Sequence, residues 1–191
     1  MTGPRKPTPA PIPALTISDL ARMSEAEFVS LLGGVFEHSP WVAEAAWDSR
    51  PFSSVADLHA VMVHAVQNAE PDMQLALIRS HPQLAGKEAR EGSLTGSSHA
   101  EQAAAGLTGC SVEQLARLSK LNTAYLQKFG FPFVLAVKKR KPAEILTLFE
   151  SRLKNDSAVE FRQCLAEISM IALMRLSSLL ESGPAVGRSQ S

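Results

Sequence analysis

Apolar residues recur at three- and four-residue intervals along most of this 191-residue chain, and this spacing constrains the fold more than any other feature. It predicts helices that begin after capping residues such as Ser24 and Ser111 and end at a glycine such as Gly130 or before proline. The apolar run 131–137 could be a buried strand, but the sequence offers no second strand to pair with it. We therefore expect this run to be extended or irregular, within a single-domain, irregular helical bundle of the all-α class.

The two ends of the chain differ in composition from the middle. Residues 1–13 contain five prolines and almost nothing that could pack, which predicts a flexible proline-rich leader. Gly183 and Pro184 stop the last periodic segment, so we expect residues 183–191 to form a flexible tail. One helical domain is expected at residues 14–182, because a chain of this length buries one sizeable core.

Charge and cysteine content argue against several classes of partner. Lys plus Arg and Asp plus Glu number 19 each, so no net charge attracts the chain to nucleic acid or to an acidic membrane surface. No apolar run reaches the roughly 20 residues that span a bilayer, and the start lacks a secretory signal. Cys110 and Cys164 are far apart, and the five-residue spacing of His59 and His64 does not align them as metal ligands. We expect a cytoplasmic protein that binds a small molecule.

An arginine interrupts the apolar face of the last predicted helix. Arg175 follows Ile168 and Ile171 and precedes Leu179 at helical spacing, which directs its guanidinium towards the core. Because arginine stays charged, it needs a carboxylate from the protein or from a ligand. A purely structural ion pair, for instance with Glu101, explains the same pattern.

Two further polar positions could carry chemistry. His81 lies between a predicted helix end and Pro82, where the helix C-terminus favours a protonated ring that can donate a proton at neutral pH. A histidine before proline is also common in turns. Ser98, Glu101 and Gln102 form a polar cluster in which Glu101 could act as a base, although Ser98 and Glu101 equally fit a helix capping box.

Four ordered segments connect these positions to a known family. They are SHPQLAGK at 80–87, SSHAEQAAAGL at 97–107, LNTAYLQKFGFPFVLAVK at 121–138 and the EIxxIAxxRL pattern at 167–176. Together they resemble the 2-oxo-4-hydroxy-4-carboxy-5-ureidoimidazoline (OHCU) decarboxylases over nearly the whole chain after the leader. The resemblance implies an all-α homodimer that converts OHCU to (S)-allantoin and carbon dioxide in urate degradation, without metal or organic cofactor.

The resemblance also implies site residues, partners and a location. The implied catalytic residues are His81 as proton donor, together with Glu101 and Arg175. The implied substrate-binding positions are Pro82, Ser98, His99, Ala100, Glu101, Gln102, Phe133, Val134, Leu135, Ala136 and Val137, the last five through backbone groups. The preceding enzyme, 5-hydroxyisourate hydrolase, is an expected functional partner, and the lack of a C-terminal SKL-type signal favours the cytoplasm over the peroxisome.

Two other interpretations remain open at this stage. In a noncatalytic interaction module, His81 would cap a helix, Arg175 would anchor a core carboxylate and the apolar run 131–137 would form a dimer contact. The second interpretation is a hydrolase that catalyses a neighbouring step of the ureide pathway. The sequence has neither a convincing metal cluster nor a nucleophile elbow to support it.

Overall fold

The computed structural model describes residues 15–86, 89 and 91–180, and within these ranges the chain is helical without a β-strand. The predicted all-α fold is therefore confirmed. The leader 1–13, the tail 183–191 and both expected ends of the domain 14–182 lie outside the described residues, as does Lys87 at the end of the first motif. Those boundaries remain predictions.

The described helices follow one another along the chain as given next. Short 3-10 helices occupy Ile17–Arg22 and Leu107–Gly109. The α-helices are α1 (Glu25–Leu32), α2 (Trp41–Trp47), α3 (Val55–Gln67), α4 (Pro71–Arg79), α5 (Gly96–Ala104), α6 (Val112–Phe129), α7 (Pro142–Arg152) and α8 (Ser157–Leu179). Ser24 and Ser111 cap α1 and α6 as predicted, and Gly130 ends α6 at a φ of 75°, a left-handed conformation that glycine adopts without strain.

The longest helix, α8, organises the core. It packs against α3 and α4, while α7 packs against α6. Leu58, Met62, Leu77 and Ile168 are fully or almost fully buried where these helices meet. Burying a side chain of this kind stabilises the fold by about 1.5–3 kcal/mol. The described helices include none that is long and apolar enough to cross a membrane.

The run 131–137 has no regular secondary structure, and every one of its residues is buried. This confirms the prediction that the run does not form a strand. Phe133 stacks on Phe149 of α7, with ring centroids 3.8 Å apart, and Tyr125 of α6 meets the Phe133 ring edge-on. Because buried peptide groups need hydrogen-bond partners, a segment without a neighbouring strand must obtain them from side chains.

The start of α5 differs from the prediction. Thr95, rather than Ser98, is the N-cap, and its hydroxyl oxygen accepts a hydrogen bond from the Ser98 amide at 3.3 Å. The capping box expected from Ser98 and Glu101 is therefore wrong. Both residues lie within the helix, and their side chains are free to make contacts with other elements.

Candidate active site

His81 lies directly after α4 and is buried, with 6% of its surface exposed. Its Nδ1 is 3.0 Å from the Leu77 carbonyl oxygen. Because a carbonyl oxygen can only accept, Nδ1 carries the ring proton. The other ring nitrogen, Nε2, is buried and has no hydrogen-bond partner among the described residues.

Burial opposes the protonated state that the helix end favours at His81. Burial lowers the pKa of His81 from 6.5 to about 4, and this effect exceeds the opposing influence of the Leu77 hydrogen bond and of the Glu37 charge. Arg175 and His38 lower the pKa further. At neutral pH the ring is uncharged, and Nε2 presents a lone pair rather than a proton.

Arg175 reaches from α8 into a double ion pair. Its Nε and Nη2 donate to the two carboxylate oxygens of Glu101 at 2.8 and 2.9 Å, which is a bidentate arrangement. Its Nη1 donates to Glu37 at 2.8 Å, and Nη2 also contacts the Ser98 hydroxyl at 3.2 Å. The pairing with Glu101 that the sequence left as an alternative is thus present, but it accounts for only part of the contacts.

Glu37 is a site residue that sequence reasoning missed. It lies in the turn between α1 and α2 and is only 2% exposed. Its carboxylate accepts from Thr95 at 2.6 Å and from Ser98 at 3.0 Å, in addition to Arg175. Burial alone would raise the pKa of Glu37, but the Thr95 hydrogen bond and the Arg175 charge lower it overall, so the carboxylate is ionised. The signal that could have identified Glu37 in the sequence is its position directly after Phe36, an apolar residue that is buried in the structure.

Glu37 also connects the site to His81 through its backbone. The Glu37 carbonyl accepts a hydrogen bond of 2.6 Å from the hydroxyl of Ser80, the residue before His81. The turn carrying Glu37 therefore fixes the end of α4 as well as Arg175. The ion-paired cluster contains two carboxylates, those of Glu37 and Glu101, and one guanidinium, so its formal charge is one negative unit.

These residues line a small pocket that is partly open to the surface. A cavity of about 30 Å³ lies between the end of α4, the start of α5, the run 131–137 and α8. Its lining includes most of the predicted positions and two others: His81, Pro82, Leu84, Ser98, Glu101, Gln102, Phe133, Val134, Leu135, Val137, Ile171 and Arg175. The pocket thus brings the end of α4, the start of α5 and the run 131–137 together around Arg175.

A larger groove adjoins the cavity. It has a volume of about 550 Å³ and shares only Glu101 and Arg175 with the cavity lining. Glu101 is the more exposed partner, with 20% of its side chain accessible against 8% for Arg175. The Glu101–Arg175 pair thus stands between the two spaces, and Glu101 is the member that can turn towards solvent.

Three predicted substrate-binding positions are not brought to the cavity. His99 is exposed and lines a different groove with Leu115, because successive residues on a helix differ by about 100° in direction. Ala100 is also exposed and faces the larger groove. Ala136 is buried but does not line the cavity, since its amide donates to Glu167 at 2.9 Å.

Comparison with known proteins decides the family. Residues 21–177 match the sequence model described as OHCU decarboxylase. The curated OHCU decarboxylase of Haloferax volcanii is 42% identical over 168 residues, which cover 88% of this chain and 98% of the relative. The chain belongs to the OHCU decarboxylase family. The resemblance inferred from the four sequence motifs is thereby confirmed.

One further relative and two solved structures extend the comparison. A uric acid degradation bifunctional protein of Bacillus sp. is 42% identical over 169 residues, and the match covers 33% of that longer protein. A crystal structure of (S)-allantoin synthase matches with a TM-score of 0.71 and 30% identity, over 87% of this chain and 55% of that one. A crystal structure of OHCU decarboxylase in the presence of (S)-allantoin, 22% identical with a TM-score of 0.65, shows the same fold.

Proposed function

We propose that this chain decarboxylates OHCU to (S)-allantoin and carbon dioxide in urate degradation. Its membership of the OHCU decarboxylase family supports the proposal. The single observation that carries it is the geometry of His81: a neutral imidazole lines the cavity, and its Nε2 has no partner among the described residues. A histidine that served only as a helix cap would not need a buried, unbonded Nε2 in the cavity that the Glu101–Arg175 pair also lines.

The substrate itself accepts the electrons of the broken bond. In OHCU the carboxylate is attached to a ring carbon that also carries a hydroxyl group and adjoins a C=N bond. When carbon dioxide leaves, the electron pair moves into a C=C bond, and the former imine nitrogen takes up a proton from solvent. The intermediate is an enol, so no added electron acceptor is needed.

His81 suits the remaining proton transfer. Neutral Nε2 accepts the proton of the hydroxyl group, and the resulting imidazolium returns it to the neighbouring ring carbon. The hydroxyl-bearing carbon becomes a carbonyl, and the ring carbon receives hydrogen from the side on which His81 lies, which sets the handedness of the product. One proton is consumed overall, and His81 returns to its neutral state.

The charges of the site favour loss of the carboxylate. Arg175 is already engaged by Glu37 and Glu101, so an incoming carboxylate meets a site whose carboxylates outnumber its guanidinium. Several cavity-lining residues, including Val134, Leu135 and Ile171, are apolar and offer the anion no hydrogen-bonding side chain. Departure of neutral carbon dioxide removes charge from this environment. Glu101 can turn to accept N–H groups of the ureido substituent, while Glu37 keeps Arg175 in place.

The pH dependence of kcat/KM tests the neutral state of His81. We expect kcat/KM to stay constant from about pH 8 to about pH 5 and to fall only as the pH approaches the His81 pKa of about 4. The charged or titratable groups that influence His81 are Glu37, Arg175 and His38. If His81 instead had to be protonated in the free enzyme, kcat/KM would fall with rising pH throughout this range.

Stability must be followed over the same pH range. The folded-state pKa of His81 lies below its ordinary value of 6.5, so the unfolded chain takes up a proton that the folded protein does not. This contribution to stability is therefore present above about pH 6.5 and lost as the pH falls towards about 4. Thermal unfolding at each pH separates this loss from a change in catalysis.

The assembly and location implied by the resemblance stay proposals. We propose a homodimer, a cytoplasmic location and a functional link to 5-hydroxyisourate hydrolase. The match to a third of a bifunctional uric acid degradation protein supports a link to another step of the same process.

The direct test of the function is carbon dioxide release from freshly generated OHCU. We expect the chain to release it faster than spontaneous decay does, without added metal or organic cofactor. Release at the spontaneous rate by folded protein would favour the noncatalytic interaction module.

A further inference from the structure

A second group of buried charges lies outside the cavity lining. Arg152 of α7 donates to Glu160 of α8 through Nε at 2.8 Å and pairs with it through Nη2 at 2.6 Å. Its Nη1 is 3.9 Å from Glu167, also on α8. All three side chains are at most 8% exposed, and we call them the Arg152 cluster.

The Arg152 cluster holds the backbone of the run 131–137 at two points. Arg152 Nη1 donates to the Val134 carbonyl at 2.7 Å, and the Ala136 amide donates to Glu167 at 2.9 Å. The guanidinium also lies 4.6 Å from the centre of the Phe133 ring. The two backbone contacts flank Leu135, which lines the cavity beside His81.

The attraction between the buried charges alone does not explain why charged residues occupy this place. Buried ion pairs cost desolvation, and apolar residues of similar volume often replace them without loss of stability. Apolar residues could not, however, satisfy the buried carbonyl of Val134 or the buried amide of Ala136. Since the described residues contain no strand that could pair with this run, side chains fix its conformation instead.

We propose that Arg152 and Glu167 are positioning residues for the decarboxylation, acting through the backbone of Val134 and Ala136. They hold the cavity-lining run at the distance from His81 that the substrate requires. This proposal rests on the proposed function, and it assigns a catalytic consequence to residues that do not line the cavity.

The test compares variants of this cluster that differ in their contact with the run. We expect Glu167→Ala to raise KM and to lower kcat/KM by about 100-fold, since displacements near 1 Å can have such effects. In this variant the Ala136 amide has lost its hydrogen bond to the Glu167 carboxylate, so it should exchange its hydrogen with solvent faster than in the wild type. Glu167→Gln should restore most of the activity, because its amide oxygen can still accept from Ala136.

Tyr125→Phe provides the matched control. Its hydroxyl donates to Glu160 and contacts Cys164, but makes no hydrogen bond to the backbone of 131–137. The substitution therefore removes a buried hydrogen bond from the same cluster while leaving the ring against Phe133. We expect lower stability, unchanged kcat/KM and unchanged exchange of the Ala136 amide.

Arg152→Lys gives a second test in case Glu167→Ala does not fold. One ammonium group cannot reproduce the separate contacts of the guanidinium with Val134 and Glu160, so KM should rise here too. The proposal is overturned if the folded Glu167 or Arg152 variants keep wild-type kcat/KM. It is also overturned if activity in all variants, including Tyr125→Phe, simply follows stability in urea.

Failure of the proposed function would be recognised separately. Wild-type protein that does not turn over OHCU would contradict the function. The exchange rate of the Ala136 amide would then still test whether the Arg152 cluster holds the run 131–137. Faster exchange in Glu167→Ala but not in Tyr125→Phe supports this role. Equal exchange in both variants overturns it.

Discussion

Replacing Arg175 by methionine is expected to lower the free energy of unfolding by about 3–5 kcal/mol, the usual cost of breaking a buried ion pair on one side. Glu37 is only 2% exposed and would lose its counter-ion, whereas the more exposed Glu101 can turn to solvent. The loss should shrink as the pH falls, because protonation removes the uncompensated charge of Glu37. Urea unfolding at several pH values measures this.

A surface arginine supplies the control for Arg175. Arg117 pairs with Glu150, and their side chains are 54% and 41% exposed. Arg117→Met should therefore cost no more than about 1 kcal/mol. Adding Glu37→Gln to Arg175→Met should recover part of the lost stability, because it removes the unpaired charge. Equal stability of the Arg175 and Arg117 variants would contradict the central place given to the Glu37–Arg175 pair.

Replacing His81 by asparagine is expected to lower kcat by about 10²–10⁴-fold, the usual contribution of a general acid–base group. The asparagine amide can still donate to the Leu77 carbonyl, so the end of α4 is kept while the nitrogen that corresponds to Nε2 is lost. Initial rates of OHCU decay with the folded variant, corrected for spontaneous decay, give the ratio.

His64→Asn is the matched control for His81, because His64 lies exposed on α3. Its rate should equal that of the wild type. A His81→Asn enzyme with wild-type kcat would show that the imidazole performs no proton transfer. This result would contradict the proposed transfer of the hydroxyl proton to the ring carbon by His81.

The sequence predicted the features that depend on local spacing. Ser24, Ser111 and Gly130 mark helix ends through contacts with residues a few positions away, and the structure confirms all three. The irregular run 131–137 was predicted for a similarly simple reason, since the sequence offers no strand to pair with it. The position of Arg175 on the inner face of α8 follows from helical spacing alone.

The missed features depend on contacts between distant parts of the chain. Glu37 and Arg175 are separated by 138 positions, and no periodic pattern marks Glu37 because it lies in a turn. The sequence shows the helix end that favours a protonated His81 but not the depth of burial that lowers its pKa. Ala136 and Glu167 are 31 positions apart, so their contact was equally hidden.

The measurement that tests the central claim most directly is the circular dichroism time course of OHCU freshly generated from urate. Wild-type protein, His81→Asn and a sample without protein are followed side by side. The account predicts rapid appearance of a single allantoin enantiomer, the (S) form, with wild type, and a return to the slow spontaneous course with the folded variant. A wild-type trace identical to that of the sample without protein would contradict it.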